Sequence, residues 1–298
     1  NMRDIRQIFQ LAGQNFSGWK KNPRIVMTFL LAFVLCLLLS DEVLTYSRRY
    51  ETSLQILEPF IWTYGDAASV MLSSLLLVLL FADMPFVNQE TPYRLIRTKR
   101  SVWLAGQLVY VIAATIMYNL FLVIVQSVFA AAFAFPGNVW SKTAALLGYG
   151  GASKGIVPVS VKTMEHVLPY KCALQIFLLM LCYSLFIATV MLCLNLLIGN
   201  AAGVIGAFAV NLYGFLLNPN LFQKLFHLTE NQLYRANVLC GWLSPLNHAT
   251  FPMHNFGYDY LPEIGWSIGL FLGAILLLLI ASGVKMRTYN FTFIQTDE

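Results

Sequence analysis

Residues 172–223, fifty-two in a row, contain no Asp, Glu, Lys or Arg. A run of that length cannot wrap a soluble globule, whose helices and strands must return a polar face to water every few residues. Shorter uncharged runs accompany it: 16 residues at 25–40, 16 at 67–82, 41 at 101–141 and 21 at 264–284. Of the 298 residues 58% are hydrophobic and only 11% charged, against roughly a quarter charged in an ordinary soluble domain. A soluble protein, a nucleic-acid binder and a disordered tail are excluded on these grounds. The expectation is an all-α membrane protein forming a single transmembrane domain over residues 1–298.

At about 20 residues per crossing, the 41-residue run holds one long span and the 52-residue run holds two. The break in the longer run falls at Gly199-Asn200, a turn former between two apolar stretches. Six transmembrane helices are expected, near 24–45, 60–83, 102–131, 172–198, 201–218 and 264–284. The first two are short in strictly apolar residues and must borrow interfacial flanks to cross.

Lys and Arg set the orientation. With the N-terminus inside, Arg3, Arg6, Lys20, Lys21, Arg24, Arg94, Arg97, Lys99, Arg100, Lys285 and Arg287 lie on the cytoplasmic side, which is 11 of the 19 cations in the shorter set of loops. The acids sharpen the contrast, leaving +6 inside and −1 outside. A multi-pass protein with both termini cytoplasmic follows, and the net +5 reflects topology rather than a nucleic-acid footprint.

The connections carry further information. Ile5, Phe9, Ala12, Phe16 and Trp19 recur at helical spacing among Arg3, Asp4, Arg6 and Lys20. They describe an amphipathic helix over 2–22 that lies in the inner interface against the lipid bilayer or packs on a soluble partner. Residues 84–100 form a compact segment, rich in turn residues and then basic, that is either a solvated basic loop or a docking surface. The third helix is expected to begin below the membrane, with Trp103 at the interface. Tyr46, Trp62, Tyr64, Tyr170 and Trp266 mark the two interfaces in the same way. The extracytoplasmic segments are 136–169 and 218–263. The second alternates polar and aromatic residues and is expected to form short helices that re-enter the outer leaflet or cap the bundle. Stripes Gly199-x-x-x-Gly203 and Gly265-x-x-x-Gly269-x-x-x-Gly273 offer close-approach faces, within one chain or between chains.

Few chemistries remain. No phosphate-binding loop, His-Glu-x-x-His or Gly-x-Ser-x-Gly sequence occurs, and no carboxylate lies in the middle of a span. A proton- or sodium-driven pump would lack its usual relay. Asp66, toward the outer end of the second span, caps a helix or lines a water-filled cavity, and Asp83 ends that helix. His166, His227, His248 and His254 are too scattered for a metal site, and the five cysteines have no metal spacing. The chain therefore carries no catalytic, cofactor-binding or metal-ligating set of its own.

The order of these parts resembles the membrane subunit of an ABC exporter of the type-2 permease class. The shared pattern is an interfacial N-terminal helix, two spans, a cytoplasmic loop with Glu90 before a short helix, and a long third span. A hairpin of spans four and five, outer helices carrying Trp242-Leu243-Ser244-Pro245-Leu246 and a last span complete it. The resemblance covers essentially the whole chain; the long outer loop after the third span departs from the simplest members. It implies that the loop is a coupling helix seated in a cleft of an ATPase subunit, with contacts from Asn88, Gln89, Glu90, Thr91, Tyr93 and Arg94. It further implies a pair of ABC ATPase subunits holding ATP and Mg, and a second permease copy or a related permease. The transporter would sit in a bacterial cell membrane, with this chain no enzyme and free of cofactor. Substrate would move between the permease halves along Phe29, Phe33, Asp66, Met71, Ser73, Ser74, Asn211 and Tyr213. Trp242, Ser244, Pro245 and His248 would form the outer re-entrant element. An aromatic, nearly uncharged path suits an amphipathic peptide, a lipid or a drug-like molecule. A stand-alone secondary transporter or channel, and a membrane-embedded enzyme or assembly factor, are the alternatives.

Overall fold

A computed structural model describes residues 2–86, 98–150 and 159–289. Its regular structure is helical apart from β1 (Leu54–Gln55) and β2 (Ala134–Phe135), which pair in parallel with Leu54 opposite Ala134. Helices α1 (Met2–Ser17), α2 (Pro23–Arg49), α3 (Glu58–Tyr64), α4 (Ala67–Leu80) and α5 (Arg100–Ala130) precede two short helices, α6 (Lys142–Tyr149) and α7 (Val161–His166). Then come α8 (Pro169–Leu197), α9 (Asn200–Leu216), α10 (Pro219–Leu225), α11 (Leu233–Leu243), α12 (Pro245–His248) and α13 (Ile264–Met286).

Four helices, α2, α5, α8 and α13, are long and apolar enough to cross a membrane. Two bent pairs, α3 with α4 and α9 with α10, raise the count to six if each pair is one span. Several membrane-length helices with leucines on the outside are compatible with a multi-pass membrane protein. Leu270, Leu272, Leu276, Leu277 and Ile280 all lie exposed on α13, an apolar face far larger than water tolerates.

The second expected span, near 60–83, is not one continuous helix. It turns by 90° between Tyr64 and Ala67, because Gly65 closes α3 onto Ile61 O and Asp66 starts a new helix. The Asp66 carboxylate accepts from Ala68 N at 3.1 Å and Ser69 N at 3.2 Å, satisfying donors that a first turn leaves open. The fifth expected span, near 201–218, ends in the same manner. Asn218 caps α10 by accepting from Leu221 N at 2.9 Å, and Pro219 in the first helical position keeps α9 from continuing.

Burial stripes explain the packing. On α2 the buried positions Ile25, Thr28, Ala32, Cys36 and Ser40 recur every three or four residues, mostly small, and this side meets α4 and α5. On α5 the stripe runs Tyr110, Ala114, Tyr118 and Leu122, all buried. Helix α8 is central and packs against α3, α4, α5, α9 and α13, with 67% of its apolar window buried. The corresponding share on α13 is 11%, which makes α13 the peripheral helix. The starts of α2 and α5 share one end of the bundle with α1. The β1–β2 pair, residues 134–150 and 159–166, and the connection 218–263 gather at the other.

Trp62, Tyr64 and Trp103 are buried against protein rather than facing outward, because short elements pack over them: α1 covers the start of α5, and α3 lies among α2, α5 and α8. Trp266 does lie outside, 64% exposed. The Gly265, Gly269 and Gly273 positions face open space, with nothing within 4 Å of an added Cβ.

Candidate functional site

Two clusters of polar side chains tie the helices together inside the bundle, and two more fasten its ends. In the middle, Asn211 of α9 is a hub. Its Oδ1 accepts from Ser74 Oγ of α4 at 2.5 Å and from Tyr183 OH of α8 at 2.9 Å, while Nδ2 donates to Ala207 O at 2.9 Å. Beside it Tyr118 OH of α5 donates to Ser73 O at 2.8 Å. Ser73, Ser74, Asn211 and Tyr183 are buried, so three candidates for a substrate path are engaged in interhelical bonds. Such bonds are worth on the order of 1 kcal/mol each in an apolar bundle.

The other path candidates are elsewhere. Phe29 stacks edge-on with Phe121 at 5.1 Å and meets Tyr118 at 6.1 Å, and Phe33 meets Phe129 at 5.3 Å. Met71 is half-buried against the core, Asp66 caps α4, and Tyr213 and Phe33 are exposed. Seven of the eight residues thus fall on an α2–α5 aromatic seam, an α4–α8–α9 polar hub, a helix cap and an outward face of α9, with Met71 packed on the core beside them, rather than on one lumen.

At the α1 end, Asn195 near the end of α8 donates to Met84 O at 2.6 Å and accepts from Gly203 N of α9 at 2.7 Å. Gly199 joins the two helices at φ +147°, a conformation suited to glycine. Gly203 lies so close to α8 that a Cβ there would come within 2.5 Å of Met191 O and of Asn195 Oδ1. Helix α1 does not float. Trp19 Nε1 donates to Tyr110 OH at 2.7 Å, Asn15 Nδ2 to Gln107 Oε1 at 3.3 Å, and Lys99 pairs with Asp4 at 3.1 Å. Leu11 rests on Gly106, and Ala12 is buried, while Met2, Ile5 and Phe9 on another side are exposed. Arg24 at the start of α2 pairs with Asp83 beyond the end of α4.

These contacts frame the connection between α4 and α5. Asn88, Gln89, Glu90, Thr91, Tyr93 and Arg94 lie outside the described residues. The flanks are described: Phe86 O accepts from Gln107 Nε2 at 3.4 Å, its ring meets Tyr110 at 4.8 Å, and Arg100 Nη1 donates to Met286 O at 3.3 Å and Arg287 O at 2.7 Å.

At the far end, Glu58 is fully buried and accepts from Ser141 N at 2.8 Å, Ser141 Oγ at 2.5 Å and Gln55 N at 3.3 Å. It fastens the segment after β2 to α3, while Ser141 caps α6. The element carrying Trp242, Ser244, Pro245 and His248 is a cap of short helices. Ser244 Oγ donates to Gly214 O of α9 at 2.9 Å and accepts from Asn247 N at 3.3 Å, and Pro245 opens α12. Trp242, 43% exposed, donates to Tyr260 O at 2.9 Å.

His248 brings in two residues that sequence reasoning left aside. Its Nδ1 lies 2.7 Å from Ser267 Oγ in the first turns of α13, and the same hydroxyl lies 2.9 Å from His254 Nε2. The outer nitrogens face carbonyls: His248 Nε2 is 3.0 Å from Trp242 O and His254 Nδ1 is 3.1 Å from Phe251 O. All three residues are buried. Burial pushes the His248 pKa below the usual imidazole value, and pushes that of His254 down to about 4, with Lys162 and His248 adding to the shift. Lys162 donates to His254 O at 3.1 Å and pairs with Asp259 at 2.6 Å. A Ser near the start of an apolar helix is the available signal; the spacing of the three gives none.

Among the described residues no three His, Cys, Asp or Glu side chains converge as a metal site, and no nucleophile stands beside an accessible base. The chain matches no protein-family model, no curated protein sequence and no solved structure at a significant level.

Proposed function

We propose that the chain is the membrane subunit of an ATP-driven exporter of the type-2 permease class, moving an amphipathic or hydrophobic molecule outward. In this reading the bundle crosses a bacterial plasma membrane six times, with each bent pair counted as one span and both termini cytoplasmic. A separate pair of ABC ATPase subunits binds ATP and Mg, and a second permease completes the pathway.

The observation that carries the proposal is the framing of residues 87–97. The connection leaves α4 beside Asp83, held by Arg24, and re-enters at α5 beside Lys99, held by Asp4, with Arg100 gripping the end of α13. A force applied to that connection reaches five helices at once, which is what coupling to a soluble motor requires. The polar hub of Ser74, Tyr183 and Asn211 supports the same reading, since it closes the bundle interior of one copy and leaves the pathway to the exposed faces bearing Phe33 and Tyr213. No ionisable pair in the described spans offers a self-contained ion relay.

The test is co-expression with candidate ATPase chains encoded beside this one, followed by reconstitution in vesicles. Copurification and ATP-dependent export are expected. Glu90→Lys or Arg94→Glu should abolish stimulation of ATP hydrolysis by substrate while the variant still inserts. Substrate flux by this chain alone, without nucleotide, would instead establish a stand-alone transporter or channel.

A further inference from the structure

We propose that the His248–Ser267–His254 chain is a proton-operated latch: it keeps all four of its hydrogen bonds only while it carries one proton more than its neutral side chains supply, and on losing that proton it releases one imidazole from α13.

The argument is a count of protons. Four contacts run in series: Trp242 O to His248 Nε2 at 3.0 Å, His248 Nδ1 to Ser267 Oγ at 2.7 Å, Ser267 Oγ to His254 Nε2 at 2.9 Å, and His254 Nδ1 to Phe251 O at 3.1 Å. Each needs one hydrogen between its heavy atoms. A neutral imidazole brings one N–H and a serine one O–H, so the uncharged set brings three. The carbonyls at the two ends can only accept. They claim the N–H of each ring, and both inner nitrogens then present lone pairs to a hydroxyl with a single hydrogen. One contact is left as lone pair against lone pair, at hydrogen-bonding distance and away from water, which is repulsive rather than neutral. A fourth proton closes the series, with one ring an imidazolium donating at both nitrogens and the serine donating to the other ring. Any choice of tautomers gives the same total.

Two effects oppose each other. Burial and Lys162 resist the extra charge, as the lowered His254 pKa records. The completed hydrogen-bond series favours it. The proton is therefore taken up below the ordinary histidine range of about 6.5; the value of about 4 for His254 already contains the hydrogen bond to Phe251 O but not the contact with Ser267 Oγ, which raises it further. The charged and titratable groups on the elements packed around the pair are few. Lys162 comes from α7, already paired with Asp259, and Glu263 precedes α13 and gives its carbonyl to Ser267 N. Helix α7 also carries Glu165, bonded to Tyr149, and His166, bonded to Lys162 O, while Cys240 of α11 and Tyr183 of α8 lie on other packed elements. Among the described residues no carboxylate pairs with either ring, so nothing but the hydroxyl and the carbonyls compensates the charge.

The latch joins separate parts of the far end. His248 ends α12, whose Ser244 is bonded to α9 through Gly214 O. His254 is bonded through its own carbonyl to Lys162 of α7. Ser267 belongs to α13. Loss of the proton thus loosens the first turns of α13 from the cap formed by the 244–263 segment.

The test is a titration of the full chain in micelles or bilayers, with ring-15N histidine, from pH 7.5 to 4. His166→Gln and His227→Gln remove the only other histidine signals. The expected result is uptake of a single proton by the His248 and His254 pair within that range, with the second ring still neutral. Amide exchange over residues 264–268, corrected for its intrinsic pH dependence, should slow about fivefold to tenfold across the same midpoint, the equivalent of one hydrogen bond. In Ser267→Ala the single-proton step and the change in exchange should both vanish. Two neutral rings down to pH 4, uptake of two protons, or an unchanged titration in Ser267→Ala would each overturn the latch. The wild-type count decides even if the variant fails to fold.

Discussion

The indole of Trp19 donates to the phenol of Tyr110 at 2.7 Å, joining two residues 91 positions apart. Phe16 packs edge-on against the same ring at 4.8 Å, and Phe86 does so from another side, also at 4.8 Å. Tyr110 is thus the socket into which the N-terminal segment plugs. Tyr110→Phe keeps the ring and removes the acceptor, and it should cost about 1 kcal/mol. The expected signs are a fall of a few degrees in thermal midpoint and faster proteolysis at Lys20 and Lys21, measured on the purified protein.

Asn211→Leu should be among the most damaging single changes in the bundle. It keeps bulk but strips the acceptor shared by Ser74 and Tyr183, leaving two buried hydroxyls without that partner at a cost of roughly 1–3 kcal/mol. Adding Tyr183→Phe removes one of the stranded hydroxyls. The double variant should therefore be less destabilised than the sum of the single ones, a coupling that a double-mutant cycle of melting temperatures measures.

Gly203→Ala tests the close approach of α8 and α9. The new methyl would meet Met191 O, a backbone atom that cannot swing away, at 2.5 Å. Separation of the two helices would also stretch the Asn195 bond to Gly203 N. A loss of about 1–3 kcal/mol is expected, read as a lower melting temperature, whereas Gly269→Ala, with open space around it, should leave the midpoint unchanged.

Acid should weaken the fold through His254. Burial holds its pKa in the folded chain below the unfolded value of about 6.5 and toward about 4; the completed hydrogen-bond series raises it only part of the way back, so the whole fold still loses stability in acid even as the α13 contact tightens. The stability it contributes is complete above the unfolded value and is lost as pH falls through 6.5 toward the folded value, by at most about 3 kcal/mol. The wild-type melting temperature should fall over that interval more steeply than that of His254→Asn; parallel profiles would contradict the assignment.

The sequence makes the long helices legible because charge is so scarce within them. Lys99 and Arg100 at the start of α5, Lys171 near the start of α8, and Glu263 and Lys285 at the two ends of α13 mark limits that a lipid-facing helix cannot ignore. Asp66 illustrates what is harder to read. An apolar run continues on both sides of it, and whether its carboxylate caps a helix or lines a cavity depends on the direction of the backbone, which the 90° turn at Gly65 sets. The N-terminal helix shows the same limit. Its spacing of Ala12, Phe16 and Trp19 reveals an apolar face, but only Gly106 and Tyr110 on α5 decide that this face meets protein. Ser267, His248 and His254 come from different elements, so no local pattern could unite them.

Helix α13 touches a polar device at each end. Ser267 in its first turns holds two imidazoles, and the carbonyls of Met286 and Arg287 at its last turn are gripped by Arg100, the first residue of α5. At 1.5 Å per residue its 23 residues extend about 35 Å, and between these terminals it shares less of its surface with the core than any other long helix. Its long flank against α8 and its two polar terminals tie it to both ends of the molecule, so a displacement at Arg100 and a displacement at Ser267 act on one and the same rigid element.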